Sequence, residues 1–224
     1  MFALPTYAAP KAYDAKYKIF QDGDQVGKAR RQLTNIKDNQ WRMQTSSRAK
    51  LFLVKVTYEQ DAIFEWKDNK AKPLSYLQVS DTSLSSKRKV VQSFDWATLK
   101  DHGTYKGKPW EIKLSEASHS RLTDIIQFRE QLKLSSKPTQ SMAFLIHDRG
   151  HSKNESFEFE ATDPIKTKAG DFMTWRYRKV HSNPKRQSLY WFAPELDFMP
   201  VRIQQFSDGE EQANMVLESI QFAE

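Results

Sequence analysis

Histidine, carboxylate and serine are the first side chains to weigh for chemistry in a chain with no cysteine, and five histidines are few enough to place one by one. The tightest arrangement is "HDRGH", which sets His147 and His151 four residues apart, with His181 further on. That spacing aligns two imidazoles toward a metal ion only on a helix. Gly150 among polar neighbours predicts a turn between strands instead, so no metal site is expected. His102 and His119 stand in polar stretches with no G-x-S-x-G elbow, and a serine hydrolase therefore has no signature here, although a triad can assemble in space from distant residues.

Asp61, Glu65, Asp95, Glu155, Glu158, Glu160, Glu195 and Asp197 supply carboxylate pairs for glycoside chemistry, but a pair acquires meaning only with a separation across a cleft. By default they belong to the solvated surface. Seven glycines form no phosphate-cradling motif, which removes nucleotide-dependent chemistry. The lack of cysteine removes thiol catalysis, Cys-ligated zinc and disulfides. The expectation is a protein that is not an enzyme, needs no cofactor and acts by binding.

The elements that must position such a binding site are read from periodicity. Aromatic residues make up 12% of the 224 residues, and aromatics favour the pleated, half-buried surface of a sheet. From Tyr13 to Ile19 apolar and polar residues alternate, "QDGDQ" gives a turn, and 26–33 resumes, which predicts an opening β-hairpin. The same grammar predicts strands over 41–47, 49–56, 62–66, 74–79, 90–96 and 110–114, with "KDNKAKP" and "YKGKP" as connectors. After 141 it predicts strands over 142–147, 156–160, 172–180, 188–192, 201–206 and 213–222.

One segment breaks the rhythm. In "SHSRLTDIIQFREQLKLSSKP", Leu122, Ile125, Ile126, Arg129 and Leu132 follow helical spacing and Phe128 extends the apolar stripe; Ser118 or Ser120 can cap its start, and Pro138 bars continuation. An amphipathic helix must lay its apolar face on something, here a sheet. The expected fold is mainly β: a single curved antiparallel sheet or open β-barrel of about a dozen strands with one amphipathic helix packed on its concave face.

"LYWFAPELDFMPVRI", residues 189–203, puts four aromatics, two prolines and an acidic pair into one stretch. Tyr190 and Phe192 alternate with Trp191, Pro194 ends the strand and Pro200 precedes its restart, which predicts a corner between strands before it predicts a ligand mouth.

The order of "YKIFQDGDQVGKARRQL", the mid-chain helix, "TKAGDFMTWRYR" and "LYWFAPELDFMPVRIQQFSDGEE" resembles the 3108 family of secreted bacterial domains of unknown function, over residues 13–222. The run from Trp191 to Ile203 and the pair Val26 and Gly27 carry most of it. The resemblance implies a signal peptide and an architecture similar to the envelope lipoprotein carriers, whose curved antiparallel sheet cups a helix over a hydrophobic cavity. It supplies no catalytic residues.

Residues 1–12 include Thr6 and Ala8 in the arrangement of a signal-peptidase site and are expected to be a signal-peptide remnant and disordered terminus, with 13–224 one β-rich domain. With the resemblance this places the protein in the periplasm of a Gram-negative bacterium. The net charge of +7 attracts anions, yet the basic residues are spread along the chain and the densest run is only Lys87–Lys89, so nucleic acid is not an expected partner. Peripheral envelope contact, without a transmembrane segment, fits better, and the expected state is a monomer.

A cavity under the helix would be lined by Ile125 and Phe128 facing Trp175, Trp191 and Trp66, with Phe198 near the rim. Which face of each strand points inward depends on register, and a one-residue slip inverts it. The leading function is therefore binding or carrying a lipid-like amphiphile, followed by an envelope interaction protein with a filled core, and then by a cell-wall or ester hydrolase.

Overall fold

The computed structural model describes residues 9–51 and 53–223. An antiparallel meander comes first: β1 (Tyr13–Gln21), β2 (Asp24–Lys37), β3 (Gln40–Leu51), β4 (Val54–Lys67), β5 (Lys70–Thr82), β6 (Ser85–Asp95), β7 (Lys100–Tyr105) and β8 (Lys108–Lys113). A two-residue strand, β9 (Ser118–His119), leads into the helix α1 (Thr123–Leu132). A second meander follows: β10 (Ser141–Asp148), β11 (His151–Thr167), β12 (Gly170–Val180), β13 (Arg186–Ala193), β14 (Met199–Ser207) and β15 (Glu210–Phe222). β1 pairs with β15 in the middle, so both meanders join into one fifteen-stranded sheet whose edges are β8 and β9. The pairing of β9 with β10 is parallel, which makes the sheet mixed.

The turns explain both the agreements with the sequence reading and the departures from it. Asp22 and Gly23, at φ 52° and 89°, make the opening hairpin, and Asp68 and Asn69, at 51° and 60°, turn β4 into β5; these residue types tolerate positive φ. The strand expected over 49–56 instead crosses the turn between β3 and β4, because "AKLFLVKV" contains no Gly, Pro, Asn or Asp to mark it. β7, "KDHGTY", reads as a polar connector but pairs with β6 and β8. The expected dozen strands become fifteen. Gly27 has a packing reason as well: a Cβ there would meet the Arg48 carbonyl oxygen at 2.3 Å and the Ala49 Cα at 2.8 Å.

Register shifts interrupt eight of the strand pairings, among them Lys16/Tyr17, Ile63/Phe64, Phe159/Ala161 and Trp191/Phe192. Each bulge bends its strand and adds twist, so the sheet curves around α1. Ile125, Phe128 and Leu132 pack into one core cluster with Phe144, Ile146, Phe157, Tyr177, Tyr190, Phe192, Phe198 and Ile203. Leu122 and Ile126 enter a second with Tyr13, Tyr17, Leu33, Met43, Phe64 and Tyr76. The helix is the core of both halves.

Its sequence is amphipathic, but its polar side is not in water: nine of its ten residues are buried. Gln127 accepts the Ala71 N–H at 2.7 Å and donates to the Asn69 carbonyl at 2.8 Å. Arg129 donates to the carbonyls of Asp197 and Phe198 at 3.1 and 3.2 Å. Both contacts tie the helix to turns of the sheet, so the polar stripe replaces water with strand-end backbone. Ser120 accepts the N–H of Thr123, the first helical residue, at 3.2 Å, but the N-cap position is Leu122, which makes no side-chain cap bond, and Ser118 bonds elsewhere.

Arg129 also explains the 189–203 stretch. Pro194–Leu196 is a 3-10 turn, and Asp197 and Phe198 follow at φ 56° and 54°. The reversed carbonyls of those two residues are the ones the guanidinium satisfies. The stretch is a corner between β13 and β14, as its prolines predict.

The two edges of the sheet share no backbone pairing among the described residues, and side chains bridge them. Gln92 of β6 donates to the His147 carbonyl at 3.4 Å, Trp110 of β8 packs on Gly150, and the Arg149 guanidinium lies 5.0 Å from the Tyr105 ring centre. A Cβ on Gly150 would stand 2.9 Å from that of Trp110. The result is an open sheet with a side-chain seam.

Candidate ligand cavity

A cavity of about 910 Å³ opens at the C-terminal end of α1. The register builds its walls. Trp41 begins β3 opposite Phe64, and the Trp66 N–H donates to the Asn39 carbonyl at 2.8 Å, which sets both indoles on the inward face at the same end of the β3–β4 hairpin. Pro10, Ala12 and Leu134 extend the apolar lining. Polar groups form the rim: Asp68, Asn69 and Lys70 on the β4–β5 turn, Lys11 beside β1, and Glu130, Lys133 and Asp197 around the helix end. Lys133 holds Glu130 at 2.9 Å and Asp197 at 2.6 Å, and Arg129 stands 3.9 Å from Asp197, so two cations face two carboxylates in this part of the rim. The Ala12 carbonyl accepts the Ala223 N–H at 2.9 Å and closes one side. Of the 1–12 segment, residues 1–8 lie outside the described residues, and 9–12 line this cavity.

Apolar walls with a few polar groups at the mouth, in a volume of this size, are the usual form of a small-molecule site. The arrangement can exclude water from an acyl or ring portion and leave a polar head at the rim. It holds no nucleophile with an adjacent base.

The six residues singled out from sequence separate into three places. Ile125, Phe128 and Phe198 are buried in one cluster with Trp175 packed against it, Phe128 stacked on Phe157 at 4.1 Å and Trp175 5.0 Å from Phe198. They fill the space rather than line a void. Trp66 belongs to the other cluster and does line the cavity. Trp191 pairs with Arg176 while Phe192 pairs with Trp175; Trp191 is 4% exposed and buried in the same cluster as Trp66, with its ring between Arg176 and Arg202 and its indole N–H on Asp163 at 3.1 Å. It does not line the cavity. Trp41, the other wall, was passed over because a tryptophan opening a strand carries no sign of which face it takes.

The histidine pair parts company across its turn. His151 is exposed at the start of β11, whereas His147 is buried at the end of β10. His147 Nδ1 lies 3.1 Å from Asp101 Oδ2 and its Nε2 3.0 Å from Ser118 Oγ. This is the connectivity of a serine, a base and an orienting acid, and sequence reading missed it because its members are 29 and 46 residues from His147. Their exposures are 0, 1 and 2% for Asp101, His147 and Ser118. The serine oxygen already accepts the Ser115 N–H at 3.0 Å, and none of the three lines the cavity. A substrate carbonyl has no approach to the hydroxyl in this arrangement. What the relay does is bond β7 across the seam to β9 and β10. Of the carboxylates, Asp61 pairs with Arg42, Glu158 with Arg178, Glu160 with Arg176 and Glu155 with Lys179.

Two groups contribute to the response to acid at separate points. Burial holds His119 down to about 4 from an ordinary 6.5, with its ring edge-on to Phe144 at 5.4 Å. A histidine that takes its proton less readily folded than unfolded makes stability fall as pH drops from 6.5 toward 4. Burial alone would raise Glu155, but its hydrogen bond with His181 and the charge of Lys179 pull it to about 2. Its contribution is present above an ordinary 4.5 and is lost as pH falls toward 2. Denaturant midpoints are expected to decline in two stages, and His119→Asn to remove the upper one. A profile flat from pH 7 to 4 in the parent protein contradicts this.

The family model described as Protein of unknown function (DUF3108) matches residues 12–217. A comparison with curated proteins finds no match. Among solved structures, the β-barrel-like protein of the DUF1849 domain of unknown function from Brucella abortus is 8% identical, covers 96% of this chain and 98% of its own, and superposes with a TM-score of 0.64. It shares the fold. A candidate lipoprotein of Parabacteroides distasonis is 13% identical over 96% of this chain and 97% of its own, with a TM-score of 0.35, too loose a superposition to inform the site.

Proposed function

We propose a function from the cavity itself, since the chain belongs to DUF3108, a family described as proteins of unknown function and matched over residues 12–217, which brings no activity with it. The protein takes up a hydrophobic or amphiphilic, lipid-like molecule without catalysis, as a monomer in the periplasm. The observation that carries the reading is the cavity of about 910 Å³ walled by Trp41 and Trp66 with the exposed charged residues Lys11, Asp68 and Lys70 among its lining. Export rests on the Thr6 to Ala8 arrangement and on the absence of cysteine. The buried Asp101–His147–Ser118 relay supports a non-catalytic role.

A second reading has its own observation. Nine of ten helix residues are buried, so the interior beneath the sheet is filled, and an envelope interaction protein needs no ligand.

Quenching of tryptophan fluorescence by brominated fatty acids separates the two, because Trp41 and Trp66 stand at the wall. Uptake predicts saturable quenching by the parent protein and lipid-like adducts in native mass spectra. Leu134 lines the cavity and is 57% exposed, so Leu134→Glu is expected to preserve the fold and weaken uptake at least about tenfold, the cost of roughly one charge brought near apolar surface. No quenching and no adducts in the parent protein establish the filled-core reading.

A further inference from the structure

The two most exposed large apolar side chains among the described residues are Leu53 and Leu84, at 75% and 79%. They lie on different hairpins, Leu53 between β3 and β4 and Leu84 between β5 and β6, yet the tips touch. The Ser83 N–H donates to the Lys55 carbonyl at 3.0 Å, and the Lys55 N–H donates to Ser83 Oγ at 3.2 Å. Two leucines thus share one projecting end of the sheet. They stand far from the cavity: β4 runs 14 residues from this tip to the turn beside Trp66, roughly 45 Å at about 3.3 Å per residue.

The same end gathers charge. Residues 48–57 and 80–89 carry six cations, Arg48, Lys50, Lys55, Lys87, Arg88 and Lys89, against the one carboxylate of Asp81, a net +5 out of +7 for the whole chain. All six are exposed, and none takes part in an ion pair among the described residues. Lys50 and Lys55 sit directly opposite each other in the β3–β4 ladder. Like charges in that position are unfavourable unless an anion stands between or above them. The basic residues that look scattered along the sequence are collected by the antiparallel register of β3 to β6.

Exposed apolar side chains ringed by unpaired cations have the chemistry of a contact with an anionic bilayer, in which lipid phosphates meet the lysines and the apolar tips enter the acyl boundary. We propose that the paired tips of the β3–β4 and β5–β6 hairpins dock the protein on an anionic phospholipid membrane. Leu53 and Leu84 insert and the six cations bind the lipid phosphates, leaving the cavity mouth directed away from the surface. No helix of the described residues is long and apolar enough to cross a membrane, so the contact is peripheral.

Co-sedimentation with vesicles of phosphatidylcholine, with and without phosphatidylglycerol, tests it. The expected result is binding that requires phosphatidylglycerol and weakens as salt is raised. Lys87→Glu with Lys89→Glu should weaken it at least about 20-fold, at about fivefold per basic charge lost. Leu53→Ser with Leu84→Ser keeps every charge and is expected to weaken it roughly tenfold or more per leucine. Both pairs are fully exposed, so thermal melting should match the parent and separates loss of docking from loss of fold. Leu134→Glu should dock as the parent does, which keeps this test apart from that of the cavity. A parent protein that stays in the supernatant with phosphatidylglycerol vesicles overturns the proposal. So does leucine-variant binding equal to the parent's, or binding that needs lipopolysaccharide instead of phospholipid.

Discussion

Phe128→Ala is expected to lower the unfolding free energy by about 3 to 5 kcal/mol, the range for removing a fully buried phenylalanine from a core that cannot collapse around the gap. The gap cannot close because Phe128 has no flexible neighbour. Its ring is stacked on Phe157 and meets Phe144, Tyr177 and Phe192 edge-on at 6.3, 4.9 and 5.4 Å. Four rings from four strands of the sheet would lose the one surface they share. In a chain of this size such a loss lowers the melting temperature by roughly 6 to 20 °C. Phe128→Leu keeps much of the volume and should cost less than half as much. Urea unfolding of both variants checks the claim, and an alanine variant within about 0.5 kcal/mol of the parent would remove the helix from its place as the common core of the two halves.

Lys179→Met should be comparably severe for a different reason. Lys179 is 7% exposed and makes a short hydrogen-bonded ion pair with Asp124 at the start of α1, and it stands 3.3 Å from Glu155. Burial disfavours its charge, but Asp124, Tyr190 and Glu155 outweigh that and raise its proton affinity. Methionine leaves two buried carboxylates facing each other, and breaking such a group from one side costs about 3 to 5 kcal/mol. The sign of its pH dependence follows. The hydrogen bond with His181 and the charge of Lys179 hold Glu155 down to about 2 in the parent, a contribution lost as pH falls from 4.5 toward 2; the variant lacks the lysine's part of it, so its deficit relative to the parent narrows over that window. Lys179→Met combined with Asp124→Leu should recover part of the loss at neutral pH. A deficit that stays constant from pH 7 to 3 would show that lost packing, not stranded charge, is the cause.

How much of this the chain discloses depends on whether the signal is local. The opening hairpin, the helix and the corner are legible because each rests on a short-range device: alternation with Asp22 and Gly23 at the turn, a stripe at helical spacing, and prolines at 194 and 200. The turn after Leu51 and the polar strand β7 are not, because their conformation is imposed by neighbouring strands. The helix reads as amphipathic, and only the fold supplies the backbone groups that Gln127 and Arg129 satisfy. Of the cavity, Trp66 is legible and Trp41 is not. Trp191 is buried in the same cluster as Trp66 without lining the cavity, because a register shift beside it breaks the alternation that would have placed it. The cations of the hairpin tips sit more than thirty positions apart, so their gathering is a property of register alone.

The pairing of β1 with β15 fixes an order of events during synthesis. Each meander is built from neighbours in sequence and can begin to form while the chain is still being made. The strand in the middle of the sheet, however, has only β2 beside it until residues 210–222 have left the ribosome, since Met215 to Phe222 supply its other partner. An incomplete chain therefore carries a free, half-apolar strand edge at its centre, the kind of surface that other chains can add to. The thirteen residues of β15 are those that cover it.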